Sequence, residues 1–324
     1  MKLKQRWIVG LVLICSTILF FQWREGAFLT LEGDLFLSGP VKEMPFVANL
    51  DSRKVYKVSL DGRFQAIPYY SIDDFNEIRL SEKSEIGDIY VAKHFKEKYY
   101  AVLLVQNGFV KELMRSSTEV VFPTLRDDGQ NIVYFGRGED NQYKYKLYRY
   151  NIQAKTSKRI SNTPVVWWSR PIFGPDESVY FAALGNYSLS KSGIQDDIRV
   201  WEATIMKINK NGELQAIVSG MFPIWMENGK SLFYYDFVAK EIRIYDIRAK
   251  ISKTISRETW VLSHPALSNN GKYLAFHEGV ITGPSLKIRL YVMSVDGWNK
   301  REIFNSDVPL SSYNRSVSEL LWGK

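Results

Sequence analysis

Short apolar runs alternate with polar turns along most of the chain, and one order of these features recurs four times. Each copy contains a proline, then a turn rich in Asp, Asn and Gly, then a run of β-branched and aromatic residues; the prolines are Pro123, Pro171, Pro223 and Pro265. A spacing of about 40–50 residues is typical of repeat architectures built from one supersecondary unit. Because Asp, Asn and Gly tolerate the backbone angles of tight hairpins, the pattern predicts strands rather than helices.

Each copy predicts four antiparallel strands, of which the first ends near the proline. The second strand is almost entirely apolar, which favours burial on both faces. Its copies cover 132–135, 179–181, 232–235 and 273–276. The third strand covers 146–150, 202–206, 242–245 and 290–293, and the more polar fourth covers 157–160, 214–218, 252–255 and 301–304. One such sheet cannot bury both faces alone, whereas several sheets packed radially can, so the pattern predicts a β-propeller.

Weaker copies precede these four. We interpret 45–49, 54–60 and 64–68 as strands of a first blade, and 78–80, 89–92, 99–105 and 110–114 as a second blade with a degraded motif. The C-terminal segment 316–322 resembles the first strand of a unit, so we expect it to complete the first blade and leave no open sheet edge. The predicted fold is therefore an all-β, six-bladed propeller with four-stranded antiparallel blades.

The repeat resembles the TolB-like, WD-type repeat of bacterial β-propellers, whose signature is close to P-x-W-S-P-D-G-x-x-[LI]-A-F followed by [LI]-Y-[VL]-x-[DN]-x-[DN]-G. The copy at 265–297 matches best, while other copies depart in the turn, with Glu177 where Gly is usual and 226–228 replacing Ser-Pro-Asp. The resemblance covers 118–304 clearly and 45–115 faintly. It implies a fold rather than an activity, because the repeat occurs in scaffolds, in gating domains of peptidases and in some sugar-degrading enzymes.

The N-terminus has the pattern of a membrane-targeting segment. Residues 1–6 are basic and 7–23 form an apolar run at the short limit for a spanning helix. The basic residues predict a cytoplasmic N-terminus with the rest of the chain outside. We therefore predict a transmembrane or signal-anchor helix in 1–26, a lead-in segment or hairpin at 27–44 and a propeller domain at 45–324, on the periplasmic side of a bacterial inner membrane. The alternative is a cleaved signal peptide and a secreted or periplasmic product.

Charge and cysteine content narrow the function classes. The chain of 324 residues has a formal net charge of +8, part of which comes from Lys2, Lys4 and Arg6 at the extreme N-terminus. No basic cluster with interleaved aromatic residues appears, which argues against nucleic-acid binding. The single cysteine, Cys15, lies in the apolar run, so the propeller has no thiol for a disulfide or a metal site.

The sequence carries no motif for catalysis, nucleotide binding or zinc binding. His94, His264 and His277 lack the spacing of a metal-binding pair. No nucleophile elbow and no glycine-rich phosphate loop appears. We therefore predict no catalytic residue, no cofactor and no metal.

One long insertion, 184–198, interrupts the fourth unit between its second and third strands. Such loops gather on one face of a propeller and are often functional. The candidate binding residues on this face are Arg137, Glu139, Asp140, Trp167, Arg170, Asp196, Asp197, Arg257, Glu258, Trp260, His264 and Glu278. Tryptophan and arginine are enriched in binding hot spots, although packing between blades would explain the tryptophans equally well.

Two functions remain open. The whole-chain repeat, the N-terminal segment and the lack of a catalytic motif favour a membrane-tethered, non-catalytic scaffold that binds a protein or an envelope polysaccharide. The alternative is a carbohydrate-active lyase or hydrolase, because propeller enzymes gather acids and histidines from several inner strands without a linear motif. A weaker idea, a eukaryotic type II membrane protein, rests on glycosylation triplets at Asn186 and Asn314.

Overall fold

A computed structural model describes most of the predicted propeller. The described residues are 34–38, 55–58, 64–67, 75–83, 87–94, 96–106, 109–137, 145–166, 168–184, 203–226, 228–258, 260–262, 264–268, 270–309 and 319–323. All described strands lie in one compact unit, Asp34–Gly323. The predicted anchor at 1–26 and almost all of the insertion at 184–198 lie outside the described residues. Within the described ranges, no helix is long and apolar enough to cross a membrane.

The described structure consists of short strands, as the repeat predicts. In chain order they are β1 (Asp34–Ser38), β2 (Val55–Val58), β3 (Phe64–Ile67), β4 (Phe75–Lys83), β5 (Asp88–His94), β6 (Tyr100–Gln106), β7 (Phe109–Ser116), β8 (Val120–Leu125), β9 (Asn131–Arg137), β10 (Tyr145–Asn151), β11 (Thr156–Ser161), β12 (Ile172–Phe173), β13 (Val179–Ala183), β14 (Thr204–Ile208), β15 (Leu214–Ser219), β16 (Met221–Trp225), β17 (Ser231–Asp236), β18 (Glu241–Asp246), β19 (Ile251–Arg257), β20 (Ala266–Leu267), β21 (Tyr273–Thr282), β22 (Ser285–Ser294), β23 (Arg301–Pro309) and β24 (Glu319–Gly323).

These strands form four-stranded antiparallel blades. Among the described residues, five sheets each contain four consecutive strands: β4–β7, β8–β11, β12–β15, β16–β19 and β20–β23. A further four-stranded sheet has the order β24-β1-β2-β3 and joins the two ends of the described chain. First strands of neighbouring sheets contact each other, as β4 contacts β8 and β12 contacts β16, and β24 contacts both β4 and β20. This arrangement is a β-propeller, as the sequence predicts.

The mixed sheet differs from the expected one in its N-terminal strand. Strand β1 lies within the predicted lead-in 27–44 and pairs with β24, where Phe36 lies opposite Leu321. The compact unit begins at Asp34, so it includes part of the segment 27–44 that the sequence assigns to the lead-in. The segment around β1 alternates apolar and polar positions but lacks the proline motif by which the blades were recognised. The predicted strand at 45–49 lies outside the described residues.

The second strands of the blades form the core. All five residues of β13 are buried, as are the apolar positions of β9 and β17, so these strands are buried on both faces as their composition predicts. One cluster of buried residues joins the last three consecutive sheets through Val166, Phe222, Phe233 and Phe276. Packing between blades is therefore continuous across this part of the propeller.

The Asp, Asn and Gly turns form as predicted. The backbone N–H of Gln130 donates to Asp128 Oδ1 at 2.9 Å, and that of Lys230 donates to Asn228 Oδ1 at 2.8 Å. Glycine in these turns takes a left-handed conformation, and Glu177 takes the same conformation with φ of 65° where glycine is usual. The departure from the repeat signature is therefore accommodated without a change of turn.

Antiparallel order divides the connections between two ends of the propeller. Hairpins between first and second strands and between third and fourth strands lie at one end, which we call the turn end. Connections between second and third strands, and from one sheet to the next, lie at the opposite end, which we call the loop end. The predicted binding face is the loop end.

Candidate binding surface at the loop end

Three chain segments lie side by side at the loop end of the sheets β16–β19 and β20–β23. The N–H of Glu258 donates to the carbonyl of Lys240 at 2.8 Å, which ties the β19–β20 connection to the β17–β18 turn. The N–H of Gly279 donates to the carbonyl of Trp260 at 2.8 Å, which ties the same connection to β21. Backbone hydrogen bonds therefore hold these segments in a fixed relation.

Exposed apolar and hot-spot residues lie on these segments. Val238, in the β17–β18 turn, is 71% exposed, and Ile281, near the end of β21, is 57% exposed. Between them along the bonded segments lie Arg257, whose side chain is 83% exposed, and the half-buried Trp260. We call Val238, Arg257, Trp260 and Ile281 the loop-end patch. An apolar pair with tryptophan and arginine has the composition typical of protein-binding hot spots.

A buried ion pair lies beneath the patch. The carboxylate of Glu258 is fully buried and accepts hydrogen bonds from the ammonium group of Lys300 and the hydroxyl of Ser256. Lys300 Nζ also lies 4.0 Å from the centroid of the Tyr291 ring. Burial raises the pKa of Glu258, and the hydrogen bonds from Lys300 and Ser256 oppose this shift. The pair joins the β19–β20 connection to the chain just before β23.

The residues that precede the repeat prolines lie at the start of the first strands. Phe222 is buried, has a positive φ of 59° and lies beside a register shift in the pairing of β16 with β17. Its ring centroid is 5.7 Å from that of His264, and its N–H donates to Ser169 Oγ at 2.9 Å. Burial, and next the positive charge of Arg170, lower the pKa of His264 to about 3. His264 is therefore a neutral residue of the interior.

The predicted binding residues divide by burial. Arg170, Glu258, His264 and Glu278 are each 9% exposed or less, so little of each residue is accessible to a partner. Arg137 is exposed on another sheet, where its Nε lies 3.0 Å from Glu119 Oε2. The remaining five candidates lie outside the described residues: Glu139, Asp140, Trp167, Asp196 and Asp197.

Two members of the patch were not predicted. Val238 and Ile281 follow apolar runs that form core strands, so the sequence pattern does not separate them from the core. Gly283 is a sequence feature that could have indicated the exposure of Ile281. It has a positive φ of 61° in the turn of the hairpin that joins β21 to β22, well beyond the predicted strand 273–276. Strands β21 and β22 extend beyond the buried core, and the residues at the tip of this extension are exposed.

We expect the propeller to lose stability on acidification below pH 6.5 because two histidines are buried in the neutral form. Burial lowers the pKa of His277 to about 4, as it lowers that of His264 to about 3. Between pH 6.5 and 4 the unfolded chain therefore binds more protons than the folded chain. Each decrease of one pH unit in this range lowers the free energy of unfolding by at most about 1.4 kcal/mol per histidine. Urea unfolding at several pH values measures this slope.

The matched variant is His277→Leu, which removes one titrating group from the interior. Its free energy of unfolding should fall less steeply than that of the wild type between pH 6.5 and 4. Equal slopes for the two proteins would show that His277 does not contribute to acid sensitivity.

The described residues contain no group of three or more His, Cys, Asp or Glu side chains placed to hold a metal ion. The buried carboxylate with the raised pKa, Glu258, is engaged by Lys300 and Ser256. The loop end has an exposed patch on segments that backbone hydrogen bonds and a buried ion pair connect. Fold and surface together define a β-propeller with a candidate protein-binding face.

Comparison with solved structures identifies this propeller as TolB-like in fold. TolB from Acinetobacter baumannii superposes with a TM-score of 0.57 at 16% identity, over 90% of this chain and 66% of that one. A putative TolB from Agrobacterium tumefaciens gives 0.53 at 13% identity, and a chain of a nidogen/laminin complex gives 0.53 at 12%; each match covers 90% of this chain and 98% of the other. No protein-family model and no curated protein matches the sequence. The predicted TolB-like resemblance is confirmed at the level of the fold.

Proposed function

We propose that this chain is an extracytoplasmic, non-catalytic propeller that binds a protein partner through the loop-end patch. The observation that carries the proposal is the pair of exposed apolar side chains, Val238 and Ile281, on two segments that are each hydrogen-bonded to the β19–β20 connection. Isolated exposed apolar residues need no explanation, but an apolar pair flanking a tryptophan and an arginine has the composition of an interface. A propeller of the same fold was solved in a nidogen/laminin complex, which supports a protein as the partner class.

The rest of the proposal concerns location and extent. The basic residues followed by an apolar run at the N-terminus support a membrane tether with the propeller outside the cytoplasm. The insertion 184–198, with Glu139, Asp140, Trp167, Asp196 and Asp197, extends the binding surface in this proposal. In this proposal the mixed sheet of β24 with β1–β3 is a sixth blade, beside the five that the described residues form from consecutive strands.

The proposal predicts that substitutions in the loop-end patch weaken partner binding, whereas similar substitutions at the turn end do not. In the variant Val238→Asp/Ile281→Asp, a carboxylate replaces each exposed apolar side chain, so the partner should lose at least about tenfold in affinity while the fold is retained. The measurement is crosslinking and pulldown from membrane fractions, followed by titration of the captured protein. Trp260→Ala should weaken binding in the same direction.

A matched control lies at the turn end. Ile251 is 66% exposed and Trp298 is 57% exposed, so the pair resembles Val238 and Ile281 in exposure and apolar character. The variant Ile251→Asp/Trp298→Ala should retain every partner that the wild type captures. If the two double variants lost the same proteins, or if neither lost any, the loop-end patch would not be the binding surface.

A further inference from the structure

A groove at the turn end separates the sheets β8–β11 and β12–β15. Its volume is about 400 Å³, within the range of small-ligand sites. Cationic residues from both sheets line it: Arg149 from β10, its cross-strand neighbour Lys158 from β11, and Lys210 from the β14–β15 turn. Arg159 also borders the groove, but its side chain lies on the opposite face of the sheet from that of Lys158, because consecutive strand residues alternate between faces. Asparagine side chains, among them Asn131 and Asn211, complete the polar lining, and the described lining residues include no carboxylate.

The cations of the groove are not neutralised within the described structure. The side chains of Arg149, Lys158 and Lys210 form no ion pair with a described carboxylate. Neighbouring Arg126 differs, because it lies 2.8 Å from Glu177 Oε1 and 3.4 Å from Asp128 Oδ2. Glu177 and Asp128 are therefore already engaged by Arg126.

Arg149 gives the groove its specific feature. Its Nε atom is buried and has no hydrogen-bond partner among the described residues, and one Nη donates to the carbonyl of Glu177 over a long 3.4 Å. Burial, followed by the charge of Arg126, lowers the pKa of Arg149. A buried N–H group that lacks an acceptor costs free energy unless an acceptor binds, and the planar fork of a guanidinium suits the oxygens of a phosphate.

We propose that this groove binds a phosphate ester, with Arg149 as the principal donor and Lys158 and Lys210 supplying charge. The volume exceeds that of a bare phosphate and leaves space for the esterified group beside Ile160 and Ile208. The asparagine amides provide donors for further oxygens. This site is separate from the loop-end patch, and neither proposal depends on the other.

Isothermal titration calorimetry of the full-length protein in detergent, at low ionic strength, tests the proposal with inorganic phosphate and glycerol phosphate as probes. Saturable binding of glycerol phosphate, tighter than that of inorganic phosphate and weakened by added salt, is expected. Arg149→Met should weaken it about tenfold or more, since hydrogen bonds to charged groups are among the strong ones. The variant Lys158→Gln/Lys210→Gln changes only exposed side chains and should weaken it without unfolding the chain.

The matched control is Arg248→Gln, which removes an exposed cation from the corresponding turn of the sheet β16–β19. It should bind glycerol phosphate as the wild type does. A short-chain phosphatidylglycerol, used below its micellar concentration, distinguishes a lipid headgroup from a soluble ester. Tighter binding of this lipid than of glycerol phosphate indicates a lipid headgroup, and the reverse order indicates a soluble ester. The proposal is overturned if the wild type shows no saturable binding, or if the groove variants and Arg248→Gln bind equally.

Discussion

Deletion of residues 316–324 is expected to lower the melting temperature by about 10 °C or more. The deletion removes β24, whose five residues pair with all of β1 in an antiparallel ladder. Strand β24 also contacts β4 and β20, the first strands of the two neighbouring sheets. Loss of about four backbone hydrogen bonds, at about 1 kcal/mol each, corresponds to about 10 °C when 1 kcal/mol shifts the midpoint by about 2–4 °C.

The expected loss is larger than this ladder alone indicates, because the deletion opens the ring. Without β24, strand β1 becomes an unpaired edge, and such an edge favours aggregation. Differential scanning calorimetry measures the midpoint, and light scattering measures the association of the deleted protein. Deletion of Lys324 alone, which lies beyond β24, is the control and should leave both unchanged.

A complementation experiment distinguishes the loss of ring closure by β24 from other damage that the deletion causes. A synthetic peptide of residues 316–324 should bind the deleted protein by strand addition and restore part of the lost stability in a concentration-dependent way. An unchanged melting temperature on deletion would contradict the closure of the ring by β24. A lowered one that the peptide cannot raise would point to damage outside this strand pairing.

The sequence predicts the blades well because two independent signals agree within each copy. Apolar runs such as 232–235 predict the buried second strands, and turn residues such as Asn228 predict where the chain reverses. The structure places both as expected. Strand β1 is less predictable, because a single short apolar run without the proline motif is equally compatible with a lead-in, and only its pairing with β24 places it in a sheet.

The sites are less predictable than the fold because they depend on contacts between distant segments. Position in or near a connecting loop places Glu258 and His264 among the candidate binding residues, whereas packing of adjacent sheets buries both. The phosphate groove brings Arg149 together with Lys210, which belongs to another sheet and lies far away in sequence. The pattern of apolar and polar residues in one strand does not indicate which side chains of the next blade will face it.

Replacing Lys300 with methionine is expected to destabilise the propeller by about 3 kcal/mol at pH 7. The substitution leaves the fully buried carboxylate of Glu258 without its cation, and breaking a buried pair by removing one partner typically costs about 3–5 kcal/mol. The lower end applies because the Lys300 side chain is 30% exposed. Lys272→Met, which removes an exposed lysine from the same region of the chain, should change stability little.

The pH dependence identifies the cause of this loss. The pKa of Glu258 is already raised by burial, and loss of the Lys300 hydrogen bond should raise it further. A raised pKa in the folded state means that the folded chain binds more protons than the unfolded chain above the ordinary value of 4.5. Stability contributed by the protonated acid is therefore present below that value and lost as pH rises through the folded pKa. The cost of Lys300→Met should accordingly shrink as the pH falls from 7 to 4.

The double variant Glu258→Gln/Lys300→Met completes the test, because it removes the charge that the single variant leaves unpaired. We expect it to recover most of the stability at pH 7 and to lose the pH dependence specific to Lys300→Met, since replacement of both members of a buried pair is often nearly neutral. Urea unfolding of the wild type, both single variants and the double variant gives the coupling free energy. A double variant as unstable as Lys300→Met, or a loss that is equal at pH 4 and pH 7, would show that Lys300 acts through its packing on Tyr291 rather than through its charge.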